Sequence, residues 1–239
     1  MMGDAGMARF YLRGDLGYAW HRDPGMHEFI DGNGYDLANG SIDETWTIGG
    51  GVGMYFSERF RGDITIDYRN AAGVNADQEI GIINNQGITM GPGTRSFDLT
   101  STVVLANVYY DWRTHRGFDP YVGVGLGWAT HRTGNGSWTA CGCSGAIEGA
   151  DETDFAWALM AGVTVDLGGH SDMGSIKDGG FSDNGHNGWK LDLGYRYLDM
   201  GSAHTGDLIS TTVGTVGGDP VVEDVNAHEI RVGLRYDIW

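Results

Sequence analysis

Eight stretches of this chain place an apolar side chain at every second position, and a period of two dictates β-strands with one apolar face. The first, about 9 to 20, offers Phe10, Leu12, Leu16, Tyr18 and Trp20. The second, about 44 to 56, offers Trp46, Ile48, Val52, Met54 and Phe56. After the turn Ser57-Glu58-Arg59 the third follows with Phe60, Ile64, Ile66 and Tyr68, so these two form a hairpin. The fourth, about 97 to 112, alternates less cleanly, with Val104, Ala106, Val108, Tyr110 and Trp112 on one face. The fifth, about 120 to 130, carries Val122, Val124, Leu126 and Trp128, and the sixth, about 154 to 167, runs from Phe155 and Trp157 to Leu167. The seventh presents Trp189, Leu191, Leu193, Tyr195 and Tyr197, and the last Ile230, Val232, Leu234, Tyr236 and Ile238.

The connections alternate in length. Segments 21–43, 70–96, 131–153 and 201–227 are long, polar and rich in Gly, Asn and Asp, whereas 57–59 and 113–119 are short. Long loops at one end and short turns at the other are the habit of outer-membrane barrels. The connection 168–188 departs from it, being long where a short turn is expected. No Pro/Ser-rich linker divides the chain, so 9–239 reads as one domain. Residues 1–8 lack a basic and an apolar signal region and read as a leader remnant or tag, from a processed, truncated or re-engineered terminus.

No run of 18 apolar residues exists, so a transmembrane helix is excluded, but a membrane-spanning strand needs only about 9 to 11 residues with half of them apolar. The occupants of the two faces separate a membrane barrel from a soluble one. With strand directions alternating, Tyr18, Trp20, Trp46, Tyr68, Trp128, Phe155, Trp157 and Tyr197 form one aromatic ring. Phe10, Phe56, Phe60, Tyr110, Trp112, Trp189, Tyr236 and Trp239 form another, with aliphatic residues between. Two aromatic girdles around an aliphatic band match a bilayer. The girdle candidates are Trp20, Trp46, Trp112, Trp128, Trp157, Trp189, Tyr236 and Trp239.

The opposite face is charged. It carries Arg13, Asp15, Arg61, Asp63, Asp67, Arg69, Lys190, Asp192, Arg196, Glu229, Arg231, Arg235 and Asp237, cations and anions nearly in balance. Sequestered in a lumen, such charges must pair. The fold class is therefore all-β, an eight-stranded antiparallel up-and-down transmembrane β-barrel whose interior side chains can fill. With the lumen near neutral, the net charge of −17 falls on the loops, which excludes nucleic acid and docking on an anionic surface through a basic patch. Inward glycines leave room for the long cations and ease strand curvature.

Phe10-Tyr-Leu-Arg-Gly-Asp-Leu-Gly-Tyr18, Asn107-Val-Tyr-Tyr-Asp111, Pro120-Tyr-Val-Gly-Val-Gly-Leu-Gly127, Trp157-Ala-Leu-Met-Ala-Gly162, Leu193-Gly-Tyr-Arg-Tyr197 and His228-Glu-Ile-Arg-Val-Gly-Leu-Arg-Tyr236 resemble the opacity-protein-like outer-membrane β-barrel family of Gram-negative surface antigens. The resemblance spans all eight strands and leaves out the loops. It implies an OmpA-like barrel, porin-like in build, exported and inserted by the outer-membrane assembly machinery, with structural, adhesive or antigenic roles. The chain departs from the pattern at Trp239, out of phase with Tyr236, and at 168–188.

Among chemistry-bearing residues, Cys141-Gly142-Cys143 is the sole cysteine pair and reads as a local disulfide, with metal binding or intermolecular pairing as the other readings. His21, His27, His115, His131, His170, His186, His204 and His228 show no metal-ligand spacing and read as loop histidines. The acidic residues Asp31, Asp36, Asp43, Glu44, Asp151, Glu152, Asp154, Glu223 and Asp224 hydrate the loops or bind divalent cations at a lipopolysaccharide surface. No cofactor, metal or catalytic set is called for. Ser41, Ser101, Ser137 and Ser210 have no histidine at a justifiable spacing, which weighs against a lipid-A hydrolase or acyltransferase. The expectation is an integral outer-membrane scaffold, surface-exposed and non-enzymatic. Its partners are outer-membrane lipids, lipopolysaccharide, the assembly machinery and an extracellular or host partner reached through the loops. A narrow ion path through the lumen is the first alternative and a lipid-modifying enzyme the second.

Overall fold

In the computed structural model the described residues are 9–30, 33–78, 82–83, 89–90, 92–114, 118–140, 143–167, 188–210, 214–215 and 218–238. Eight strands build the barrel: β1 (Arg9–His21), β2 (Thr45–Tyr55), β3 (Phe60–Gln78), β4 (Gly93–Asp111), β5 (Phe118–Thr133), β6 (Asp151–Asp166), β7 (Trp189–Asp199) and β8 (Asn226–Ile238). Each pairs antiparallel with its sequence neighbours. β1 closes the ring against β8, from Phe10 opposite Ile238 to His21 opposite Ala227. Closure satisfies every ladder bond, which a strand in hydrocarbon requires because no water is there to bond an edge.

The outward face is a continuous apolar belt. Leu16, Ile48, Val52, Ile64, Val124, Leu126, Leu159 and Val232 are all exposed on it. So are Trp46 and Trp128 at one rim and Phe60, Trp112, Trp189 and Tyr236 at the other. An unbroken apolar surface of this size is tolerated only against lipid. β5 crosses the belt between Phe118 and Trp128, the roughly 9 to 11 residues that a tilted strand needs.

Beyond the Trp46 and Trp128 rim the described residues of 21–43, 70–96, 131–153 and 201–227, read from sequence as long polar loops, are largely paired strands. Segment Pro220–Glu223 pairs with Gly25–Ile30, which pairs with Asn33–Ile42, which pairs with the far end of β3. The far end of β4 continues the sheet to Gly136–Ala140, then Cys143–Ile147, then Leu208–Ser210. Hydrogen bonds from Thr205 N to Pro220 O (3.0 Å) and from Leu208 N to Gly218 O (3.1 Å) bring that sheet back to its start. The connections thus form a second β-walled tier stacked on the membrane barrel.

The tier escapes the membrane pattern because its polarity is inverted. On β4 the outward residues change from Thr94, Ser96, Asp98, Thr100 and Thr102 to Val104, Ala106, Val108 and Tyr110. The inward ones change from Phe97, Leu99, Val103 and Leu105 to Asn107, Tyr109 and Asp111. Water outside demands an apolar inside, and lipid outside permits a polar one. On β3 a bulge between Arg69 and Ala72 switches the inward set from odd residues to Ala72, Val74, Ala76 and Gln78. The tier's core is Met26, Leu37, Val74, Phe97, Leu99, Trp138, Ile147, Leu208 and Val222.

Candidate functional site

The membrane barrel's interior is a stack of ion pairs. All the inward charges read from the alternation lie in it, and the structure joins them into groups. At the short-turn end, Lys190 Nζ meets Asp166 at 3.0 Å and Asp237 at 3.4 Å, and the Tyr55 hydroxyl donates to Asp237 at 2.9 Å. Above them Arg235 reaches Asp192 at 3.5 Å, and Thr164 donates to the same carboxylate at 2.6 Å. Arg61 bonds Asp111 at 3.1 Å while its guanidinium lies 3.9 Å from the Tyr109 ring centroid.

At mid-height Arg13 spans two carboxylates, with Nη2 2.7 Å from Asp15 and Nη1 2.8 Å from Asp63. Asn107 Nδ2 donates to Asp63 at 2.7 Å, and the Tyr11 hydroxyl donates at 3.0 Å. The topmost group centres on Asp67, which accepts from Arg196 Nη1 at 2.6 Å and from Arg231 Nη2 at 2.8 Å. Glu229 takes Arg196 Nε at 2.6 Å and Arg69. Between these groups lies a cavity of about 20 Å³, bordered by Arg13, Asp15, Asn107, Asp192, Arg196 and Arg231. That is room for about one water.

Several members were missed from the sequence. Tyr11, Tyr109, Tyr121, Asn107, Asp111 and Asp119 are buried inside the barrel. The signal was available: Tyr11 shares the phase of Arg13 and Asp15, and Tyr109 and Asp111 share that of Asn107. Asp111 and Asp119 tip the lumen toward acid, which corrects the balance read from the shorter set. Room for the crossing side chains comes from inward glycines such as Gly162 and Gly194, where a Cβ would meet the Tyr121 hydroxyl at 2.6 and 2.5 Å. Gly14 of β1, by contrast, faces lipid.

A closed barrel, belted with apolar residues and filled with paired charges, matches the outer membrane protein beta-barrel domain family over residues 4–237. The chain belongs to that family. This outer-membrane barrel is an integral protein of the Gram-negative outer membrane. An uncharacterized protein of Brucella abortus is 30% identical over 264 residues, covering 97% of this chain and 85% of its own length. A protein designated an adhesin in Rickettsia rickettsii is 25% identical over 232 residues, covering 96% and 88%. The outer membrane protein OprG from Pseudomonas aeruginosa shares the fold with TM-score 0.56 and 12% identity, covering 96% of this chain and 95% of that one.

The girdle residues Trp20, Trp46, Trp112, Trp128, Trp157, Trp189 and Tyr236 sit on the outward rims of the outer-membrane barrel, while Trp239 lies outside the described residues. Tyr18 packs edge-on to Trp46, and Trp189 tilts against Tyr236, with centroids 5.0 and 4.8 Å apart. Cys143 is exposed at its hairpin; Cys141, the other half of the expected disulfide, and the connection 168–187 lie outside the described residues.

Not all histidines are loop histidines, a further correction. His131 is buried, and its Nδ1 lies 2.8 Å from Ser101 Oγ, because the β4–β5 register sets the two residues opposite each other. The other ring nitrogen meets the Met200 carbonyl at 2.9 Å. A nucleophile needs an accessible hydroxyl and a base oriented by an acid. This pair has neither, and it fastens the junction between tiers. The acidic residues do not converge: among the described residues no three His, Cys, Asp or Glu groups are placed to hold a metal ion. Asp31 lies outside them. On the tier wall Arg132 pairs with Asp151 at 2.8 Å, and that hydrogen bond holds the Asp151 carboxyl below its ordinary pKa. A cleft of about 450 Å³ opens on the tier, lined by Asp23, Met26, His27, Asp36, Asn39 and Glu223 among others.

Proposed function

We propose that this chain is a surface-exposed, non-enzymatic scaffold of the outer membrane: a sealed barrel that holds a rigid β-walled tier out to the medium for adhesive contact. The observation that carries the reading is the pairing of a filled lumen with a built tier. The ion pairs around Asp67, Asp63 and Arg61 leave a cavity of about 20 Å³, too small for a solute path. The tier above the lumen is likewise filled, its interior packed with Phe97, Leu99, Trp138 and Leu208. A closed wall of this kind fixes the positions of whatever it presents.

The likeness to the adhesin-designated Rickettsia protein, which extends over 96% of this chain, supports the same reading. So does the burial of Ser101 and His131, which removes that serine–histidine pair from any lipid substrate.

The test has two arms. In planar bilayers the refolded protein is expected to give no conductance steps, and stepwise currents overturn the sealed-lumen half. Cells displaying the whole chain are expected to adhere to host-cell monolayers, and a chain with 203–223 cut to a short turn is expected to lose that adhesion. Equal adhesion by both overturns the display half.

A further inference from the structure

The aromatic ring at the extracellular edge of the belt contains one residue that a girdle does not require. His228 sits on the lipid-facing side of β8, opposite Trp20 of β1 and Tyr197 of β7. Its imidazole stacks on the Trp20 ring, 5.9 Å between centroids at 15°, and meets Tyr197 edge-on at 5.4 Å. Nδ1 lies 2.5 Å from the Tyr195 hydroxyl. With that hydroxyl donating, the neutral ring carries its proton on Nε2, a donor free to point away from the barrel. Trp157 extends the row, 5.4 Å from Tyr197.

Two residues beyond Trp20, Arg22 stands exposed, in electrostatic reach of the Tyr197 hydroxyl together with Asp199 and Asp224. The other described arginines of this side are engaged: Arg95 is buried on Glu28, and Arg132 is paired with Asp151. Among the described residues Arg22 has no ion pair within 4.0 Å. Its height in the molecule gives it meaning, since the belt's upper edge is the plane in which lipid phosphates lie. A guanidinium is suited to a phosphate, and amphipathic rings are suited to the boundary between sugar and acyl chain.

We propose that Arg22, Trp20, Tyr195, Tyr197 and His228 form a docking site for a phosphate-bearing glycolipid of the outer leaflet. Arg22 and His228 Nε2 take the phosphate, and the rings lie along the sugar–acyl junction. Asp199 and Asp224 stand nearby and disfavour an anion arriving from solution. A phosphate already held in the leaflet by its acyl chains is favoured over a free one.

The experiment uses the full chain refolded in nanodiscs and native mass spectrometry of lipids retained on release. Bisphosphorylated lipid A is expected to be retained by the wild type and about 5-fold or more less by Arg22→Gln, a loss of the size one charge-assisted contact supplies. His228→Gln is expected to weaken retention in the same direction, and Arg132→Gln to leave it unchanged. Arg22 lies outside the barrel strands, so its substitution spares the fold, checked by heat-dependent gel mobility. Retention unchanged by Arg22→Gln overturns the site. So does equal retention of dephosphorylated lipid A. Equal retention of phosphatidylglycerol, or displacement by inorganic phosphate, overturns the assignment to a glycolipid.

Discussion

Arg95 and Glu28 form a two-armed ion pair inside the extracellular tier, Nε to Oε1 and Nη2 to Oε2 both at 2.9 Å, with neither side chain open to solvent. The same guanidinium donates to Gln78 at 2.5 Å and to the Thr139 carbonyl at 3.3 Å. One side chain on β4 therefore ties together the hairpin 25–42, the end of β3 and the strand Gly136–Ala140. Above the membrane barrel, where most of the interior is apolar, this network specifies which segments lie side by side.

Glu28→Ala removes one partner and strands a buried cation, a change that costs about 3 to 5 kcal/mol. The loss is expected to fall on the tier alone, since no lumen group touches Glu28. Limited proteolysis in nanodiscs should cut 25–42 many times faster than in the wild type while heat-dependent gel mobility stays normal. The double substitution Glu28→Leu with Arg95→Met is expected to restore protection, because replacing a buried pair with apolar groups of similar volume is near neutral. If the single variant resists protease as the wild type does, the network does not hold the tier.

Inside the membrane Asp67 has the corresponding position, bridging Arg196 of β7 and Arg231 of β8 from β3 across the barrel. Asp67→Asn keeps the shape and removes the charge both guanidinia share. It is expected to lower stability toward urea in lipid vesicles by about 3 kcal/mol or more, the cost of a buried charge left without its partner. Asp151→Asn breaks an ion pair exposed to water on the tier wall and is expected to leave the unfolding midpoint unchanged. Equal effects from the two variants contradict a lumen held by its charges.

The membrane barrel was legible because lipid imposes a strict rule: within the belt the outward residues are apolar, as Ile64-Thr65-Ile66-Asp67-Tyr68 shows. The phase of those residues also located Arg13, Asp67 and Arg231 in the lumen. The tier was not legible, because its apolar residues point the other way. Val103-Val104-Leu105-Ala106 is apolar on both faces where lipid and tier core overlap, and this is why β4 looked ragged. The β3 bulge hid Val74 and Ala76: they keep the even phase of the lipid-facing Ile64 and Ile66 in sequence, yet the bulge turns them inward. Ser101 and His131 were unreadable for a third reason: their meeting depends on the β4–β5 register and not on any local spacing.

Glycines that look alike in sequence differ in what surrounds them. A Cβ on Gly127 would overlap the Val104 carbonyl oxygen, a backbone atom that cannot rotate aside. On Gly14, facing lipid, it would find its nearest neighbour, the Gly49 carbonyl oxygen, at 4.0 Å. Gly127→Ala is expected to cost about 1 to 3 kcal/mol, as overpacking does, and Gly14→Ala to be neutral or stabilising by about 0.5 kcal/mol through the unfolded chain. Urea titration of the two variants in vesicles checks the order, and a reversed order contradicts the inward assignment of Gly127.

Tryptophan fluorescence distinguishes the two tiers directly. Trp46 and Trp128 are 66% and 64% exposed on the lipid-facing rim. Trp138 is 3% exposed, packed in the tier core with its indole N–H donating to the Ile209 carbonyl at 3.2 Å. In single-tryptophan variants, a quencher attached to lipid near the headgroup is expected to quench Trp46 and Trp128 strongly. Trp138 should be shielded both from that quencher and from iodide in solution. Trp138→Ala should cost about 3 to 5 kcal/mol of tier stability, read as faster proteolysis at 136–147. Strong quenching of Trp138 by lipid would place its hairpin in the membrane, and strong quenching by iodide would open the tier core to water. Either result contradicts a second, water-facing tier above the belt.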